Sequence, residues 1–170
     1  MGNEEIRNFD DSGSRFRASG REAVKENVAL AFESARRAIV IYSPLLDPAQ
    51  FNQSRVIEAM ATFCAGGRPN KVRILVGRGD ETIRSNARVT SLARRFSDFI
   101  DLRQLGKGSG SPSDMFVVID RNGYLHQPDS EKAECIVDFN ASNEVGALSR
   151  RFEKMWERSE PIAGLHVTGL

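Results

Sequence analysis

Short runs rich in Val and Ile recur along the chain, and segments with helical periodicity separate them. Three of these runs lie at 38–42, Lys71–Val76 and Met115–Ile119. The run at 38–42 is β-branched, which is typical of a buried strand. Amphipathic segments at 19–37 and 54–64 place apolar residues every three or four positions, as helices do. The alternation predicts an α/β fold of three layers, in which a mixed β-sheet is flanked by helices.

The remaining elements follow from turn signals and the same periodicities. Asn122-Gly123 is a strong hairpin signal and predicts antiparallel strands on either side of it. The other predicted elements are a cationic helix at 87–96, strands at 99–103, 124–127 and 134–139, and a closing helix at 143–158.

A chain of 170 residues is long enough for one domain with a substantial core. We expect a single domain over residues 19–160. Residues 1–18 are polar and predict an N-terminal arm or an edge element, and residues 161–170 predict a tail.

Composition excludes several functional classes. No apolar run approaches the roughly 20 residues of a membrane-spanning helix, and the first residues lack an apolar signal region, so we expect a cytoplasmic protein. Two cysteines and two histidines are too few for a disulfide framework or a structural zinc site. The glycines near Gly77 and Gly106 do not match a dinucleotide or Walker motif. We therefore expect no cofactor and no metal.

Positive charge is concentrated in the middle of the chain, although the net charge is only +1. Residues 68–107 contain ten basic and four acidic side chains. Arginine forks bind phosphate oxygens well, so this segment predicts a basic face for a phosphate-bearing ligand. The candidate binding residues are Arg78, Arg84, Arg88, Arg94, Arg95 and Lys107.

The order of elements resembles a half-domain of the phospholipase D-like superfamily over about residues 20–160. A helix running into the strand at 38–42 resembles its opening, and the segment 113–123 resembles its signature. In that signature, His-x-Lys is followed by four residues and an aspartate. The aspartate corresponds to Asp120, and Asn140 is similar to an asparagine that follows the signature in the family.

The reacting pair of the family is replaced in this chain. Ser113 stands at the histidine position and Met115 at the lysine position. The resemblance implies that the histidine attacks phosphorus and that the lysine binds phosphate oxygens. Serine without a base cannot replace the imidazole, and methionine carries no charge for an anion. The resemblance therefore implies a member with no catalytic residues, in which Ser113, Asp120 and Asn140 remain candidate ligand-binding residues.

Three functional hypotheses follow. The first is a non-catalytic module that binds an anionic lipid headgroup or nucleic acid, as in the similar membrane-binding C-terminal domain of MIT-domain proteins. The second is a phosphodiesterase or phosphatidyltransferase-like enzyme with Ser113 or His126 as nucleophile or base and Asp120 as its orienter. A half-domain of this kind implies a homodimer. The third is a protein-interaction or assembly domain.

Overall fold

The computed structural model describes residues 14–166, which form eight strands and six helices. The strands are β1 (Phe16–Ser19), β2 (Ala38–Ser43), β3 (Lys71–Val76), β4 (Ile100–Leu105), β5 (Met115–Ile119), β6 (Gly123–Gln127), β7 (Glu134–Asp138) and β8 (Ser159–Pro161). The helices are α1 (Arg21–Ser34), α2 (Pro48–Phe51), α3 (Ser54–Ala65), α4 (Gly79–Ser85), α5 (Ala87–Arg95) and α6 (Ser142–Glu157).

All eight strands belong to one mixed sheet, in the order β1-β7-β6-β5-β2-β3-β4-β8. Strands β2, β3 and β4 are parallel and form one half of the sheet. Strand β5 runs antiparallel to β2, and β6 and β7 continue the antiparallel half. The start of β5 therefore lies at the same sheet edge as the carboxyl ends of β2, β3 and β4.

Helices cover both faces of this sheet, so the predicted three-layer architecture is confirmed. Ile39 and Ile41 of β2 face a large apolar core formed with α1, α3 and α5. The alternate residues Val40 and Tyr42 face a smaller core closed by α6. The side-chain period of two sends successive residues of one strand into two separate cores.

Two short helices, α2 and α4, follow β2 and β3. Pro48 is at the start of α2, where its fixed φ suits the first helical position. The Asp47 side chain caps this helix by accepting a hydrogen bond from the Ala49 N–H at 2.9 Å. The glycine turn after β3 continues into α4, which buries Gly79 and Thr82. Both helices are too short to show an amphipathic period.

The domain extends beyond the predicted boundaries at 19 and 160. Strand β1 pairs antiparallel with β7 along the sheet edge. Beyond β8, Ile162 and Leu165 are buried in the larger core. The predicted arm and tail therefore contribute to the fold over residues 14–18 and 161–166, and residues 1–13 and 167–170 lie outside the described part. Within that part, no helix combines the length and apolar character needed to cross a bilayer.

Candidate functional site

A cluster of polar side chains lies at the edge where β5 starts. The Asp114 carboxylate accepts hydrogen bonds from Arg151 Nη1 and Nη2, both at 2.6 Å. His126 Nε2 lies 2.8 Å from Asp114 Oδ2. The strand register brings the His126 and Asp114 side chains together. His126 on β6 pairs with Phe116 and so projects from the same sheet face as Asp114. Arg151 reaches the pair from α6.

Neighbouring charges keep Asp114 ionised. Burial of Asp114 works to raise its pKa, but the hydrogen bonds and charges of Arg151 and His126 outweigh burial and hold the pKa well below its usual range. Asp114 is therefore an anion at neutral pH. Burial and the nearby Asp114 charge raise the pKa of Tyr42, so its hydroxyl remains protonated.

The cluster fixes the glycine-serine segment that precedes β5. Tyr42 is fully buried, and its hydroxyl donates a hydrogen bond to the Pro112 carbonyl at 2.6 Å. The Arg151 guanidinium lies 5.3 Å from the centre of the Phe116 ring, within cation–π range. A groove of about 640 Å³ separates residues 108–112 from the end of α6, with Lys154 and Arg158 on its helical side. This side of the domain offers cationic groups beside a loop that is hydrogen-bonded to Tyr42 at Pro112.

Ser113 and Met115 lie at the same edge but project away from the cluster. Ser113 is exposed, and its carbonyl accepts a hydrogen bond from the Ser130 N–H at 2.9 Å. Met115 is only 1% exposed and packs in the core beneath α1. The position that the resemblance assigns to a phosphate-binding lysine therefore holds a buried thioether.

Asp120 lies at the far end of β5, away from Ser113. Its carboxylate accepts hydrogen bonds from the N–H groups of Arg36 at 3.1 Å, Arg37 at 2.7 Å and Ala38 at 3.0 Å. Its φ of 54° is in the left-handed region, which aspartate tolerates better than most residues. The carboxylate thus fixes the turn between α1 and β2.

Asn140 also lies at the far end. It follows β7, and the next residue, Ala141, donates its N–H to the Asn122 carbonyl in the β5–β6 hairpin. Within one chain, the structure therefore places Asp120 and Asn140 at the edge opposite Ser113. Strand β6 runs back to the start of β5. The residues on the neighbouring strand nearest to Ser113 are therefore those at the end of β6 and just after it, Gln127 to Ser130.

The predicted basic residues divide into two groups. Arg78 pairs with Glu81 at 3.2 Å, and Arg84 lies 3.7 Å from Asp80. The charges of the second group meet no carboxylate within residues 14–166. Arg88 donates to the Ser54 hydroxyl, Arg94 donates to the carbonyls of residues 164 and 165, and Arg95 lies over the Phe96 ring.

Lys107 is exposed in the loop that follows β4. The neighbouring position requires the glycine found there, Gly106, because a Cβ would collide with the carbonyl oxygen of Arg158. The glycine therefore lets the loop approach the end of α6.

The cysteines offer no reactive thiol. Burial raises the pKa of Cys64 to about 11 and that of Cys135 to about 12. No set of three metal-ligating side chains comes together in the described ranges.

The Asp114–His126–Arg151 cluster was missed as a unit by sequence reasoning. The hairpin register around Asn122-Gly123 contains a signal for part of it, since it places His126 diagonally from Asp114 on one face. No local pattern indicates that α6 supplies Arg151, because that contact depends on how the helix crosses the sheet.

A family model described as a domain of unknown function, DUF7931, matches residues 20–167. No functionally curated protein matches the sequence.

Similar solved structures share the fold at low sequence identity. TrmBL2, an archaeal chromatin protein with a novel mode of DNA binding, aligns with a TM-score of 0.63 and 13% identity, covering 89% of this chain and 55% of that chain. Nuc, a phospholipase D family member from Salmonella typhimurium, aligns with a TM-score of 0.63 and 15% identity, covering 86% and 96%. NucT from Helicobacter pylori aligns with a TM-score of 0.57 and 13% identity, covering 86% and 99%. This chain thus spans about half the length of the archaeal protein and nearly all of the two bacterial ones. Together these matches show that the chain belongs to the DUF7931 family and has a phospholipase D-like fold.

Proposed function

We propose that the chain is a non-catalytic phospholipase D-like module that binds a phosphate-bearing ligand, with nucleic acid as the first candidate. The observation that carries the proposal is the burial of Met115, at 1% exposure, where the resemblance implies a phosphate-binding lysine. A buried thioether offers neither charge nor a hydrogen-bond donor to a phosphoryl oxygen. Ser113 lies on a different sheet face from His126, so the serine has no base at hand.

A module that binds phosphate without catalysing a reaction requires exposed cations, and α5 supplies them. The exposed Arg88 and Arg95 are seven residues apart on α5, so this arginine row lies along one side of the helix. No acid occurs within Ala87–Arg95. Guanidinium groups in such a row suit successive phosphates of a nucleic-acid backbone. Lys107, with Lys154 and Arg158 of the groove, supplies further positive charge.

One structural neighbour supports nucleic acid as the first candidate ligand. TrmBL2 is described as a DNA-binding chromatin protein. The shared fold is therefore compatible with DNA as a ligand, and the arginine row supplies the chemistry. Asp120 is not part of the proposed surface, because backbone N–H groups occupy its carboxylate.

Fluorescence anisotropy with a labelled DNA duplex tests this proposal. We expect affinity to fall steeply between about 50 and 200 mM salt, because binding releases counterions. The double variant Arg88→Glu/Arg95→Glu should weaken binding and lower the salt slope by about 2. Arg121→Glu, in the exposed β5–β6 hairpin, is the matched control and should bind as wild type. Salt-insensitive binding, or binding only to anionic vesicles in a parallel sedimentation assay, would contradict the nucleic-acid assignment.

One observation favours a second candidate function. His126 is paired with Asp114 at 2.8 Å, as a general base is held by an orienting carboxylate. In the structure Asp114 therefore takes the orienting role that the sequence assigned to Asp120. A generic phosphodiester substrate distinguishes the two functions: an enzyme loses turnover in His126→Ala or Ser113→Ala, whereas a binding module shows the same background in all three proteins. Light scattering of the same samples shows whether a homodimer is present.

A further inference from the structure

The solvent-facing side of α5 carries arginines on both flanks and a small residue between them. A helix turns by about 100° per residue, so Ser91 lies at the middle of this side, opposite the buried residues of the helix. Arg88 and Arg95, the arginine row, lie on one flank of Ser91, and Arg94 lies on the other. All four side chains are exposed. The short serine side chain therefore leaves room for a ligand between the arginines.

Neutral groups hold the arginines of both flanks in place. Arg88 Nη1 donates to the Ser54 hydroxyl at 3.0 Å. On the other flank, Arg94 Nε and Nη2 donate to the carbonyls of residues 165 and 164 at 2.6 and 2.9 Å. A guanidinium has more N–H donors than these bonds use, and a hydroxyl or a carbonyl does not neutralise its charge. Both arginines are therefore positioned and still able to bind phosphate oxygens.

Neighbouring segments lie against both flanks of α5. The first residue of α3, Ser54, lies beside Arg88. The segment after β8 lies beside Arg94 and is anchored by Ile162 and Leu165 in the larger core. A helix with its side chains, about 10–12 Å wide, already fills a DNA major groove of about 12 Å. A helix flanked in this way meets the phosphate backbone at the outside of DNA and does not reach the base edges.

The exposed side of α5 offers no surface on which bases can stack. Its exposed residues within Ala87–Arg95 are alanine, serine and arginine. The aromatic residue that follows the helix, Phe96, packs against the larger core, and the Arg95 guanidinium lies over its ring at 5.0 Å from the centre. Proteins that bind single strands combine a basic groove with exposed aromatic rings. A double helix keeps its own stacking and requires only the phosphate contacts.

We propose that the exposed side of α5 binds the sugar–phosphate backbone of double-stranded DNA, with the phosphates of one strand over Ser91, between Arg94 and the arginine row. Phosphate contacts carry no sequence information, so binding does not depend on the base sequence. This inference rests on the proposed function. It adds the form of the DNA, the place of its backbone on α5 and the lack of base readout.

Competition anisotropy with the full chain tests this inference. A labelled duplex of about 20 bp is bound at about 50 mM salt and is displaced by unlabelled DNA. The competitors are the same duplex, a duplex of different sequence, and a dT strand with as many nucleotides as the duplex. The two duplexes should compete equally within about twofold, because a changed base contact would cost about tenfold. The single strand should compete at least about tenfold less well.

The possible results distinguish the inference from the proposed function. If none of the three DNAs binds, the proposed function and the inference both fail. If the two duplexes differ by more than about tenfold, or the single strand binds more tightly than the duplex, the inference fails and the proposed function stands.

Ser91→Phe tests where the backbone lies. A bulky ring at the middle of the exposed side should hold phosphates away from the arginines and weaken duplex binding about tenfold. Its Tm should change little, because the position is exposed. Ala147→Phe, at an exposed position of α6, is the matched control and should bind as wild type. Wild-type affinity of Ser91→Phe, together with weak binding of Arg88→Glu/Arg95→Glu, would overturn the placement over Ser91.

Discussion

Asp114 and Arg151 form a bidentate ion pair, in which the two guanidinium Nη atoms donate to the two carboxylate oxygens, each at 2.6 Å. The pair joins the start of β5 to α6, 37 positions later in the chain. Its side chains are 13% and 37% exposed, so water screens the arginine more than the aspartate. This bond links the glycine-serine segment to the helix that closes the smaller core.

Replacement of Arg151 should destabilise the protein through this bond. Arg151→Leu leaves a largely buried carboxylate without its main partner, and we expect the free energy of unfolding to fall by about 1–3 kcal/mol, reduced from the cost of a fully buried pair by exposure of the arginine. Urea denaturation measures the change. Arg150→Leu, its exposed neighbour on α6, should change stability by less than about 0.5 kcal/mol. Equal effects of the two substitutions would show that the ion pair is not important for stability.

Acid should remove the contribution of Asp114. Its folded-state pKa is lowered, so the stabilisation is fully present above the unfolded-state pKa and is lost as pH falls from about 4 toward the folded-state value. The urea midpoint of the wild type should decrease over this range, and it should decrease less steeply in Asp114→Asn. An identical pH dependence in both proteins would rule out Asp114 as a source of acid sensitivity.

Substitution of Asp120 distinguishes a structural from a ligand-binding role. Asp120→Ala removes the acceptor of three backbone N–H groups and places alanine at positive φ, so we expect a loss of about 2–3 kcal/mol. Asp120→Asn keeps an acceptor and tolerates that φ, so it should lose less. Asp98→Ala, in an exposed turn, is the control for thermal unfolding. Retained stability in Asp120→Ala, combined with lost DNA binding, would contradict the structural role.

The sequence alone predicts those strands and helices whose pattern lies within one continuous stretch of residues. The runs Lys71–Val76 and Met115–Ile119 are strands with the predicted bounds, because a short run rich in Val and Ile between turn residues is a local strand signal. The polar residues 1–18 predict an arm or an edge element, and β1, which begins within them, is an edge strand of the sheet. Strand β8 was not predicted, since Pro161 has no strand pattern and pairs only because a sheet edge is available.

The candidate site was less predictable than the fold. Asp120 stands out in the sequence, yet its carboxylate is used by the α1–β2 turn, a contact over more than 80 positions. Arg151 has no distinguishing pattern in the sequence, because its contact with Asp114 depends on how α6 crosses the sheet.

The most direct test of the central claim measures binding and cleavage in the same sample. A labelled DNA duplex of about 20 bp is saturated with wild-type protein at about 50 mM salt. Anisotropy is recorded, and the DNA is then resolved on a denaturing gel. The account predicts that the duplex is bound and that its strands remain full length. DNA cleavage that increases with protein concentration and disappears in His126→Ala would contradict it, as would an anisotropy that does not change.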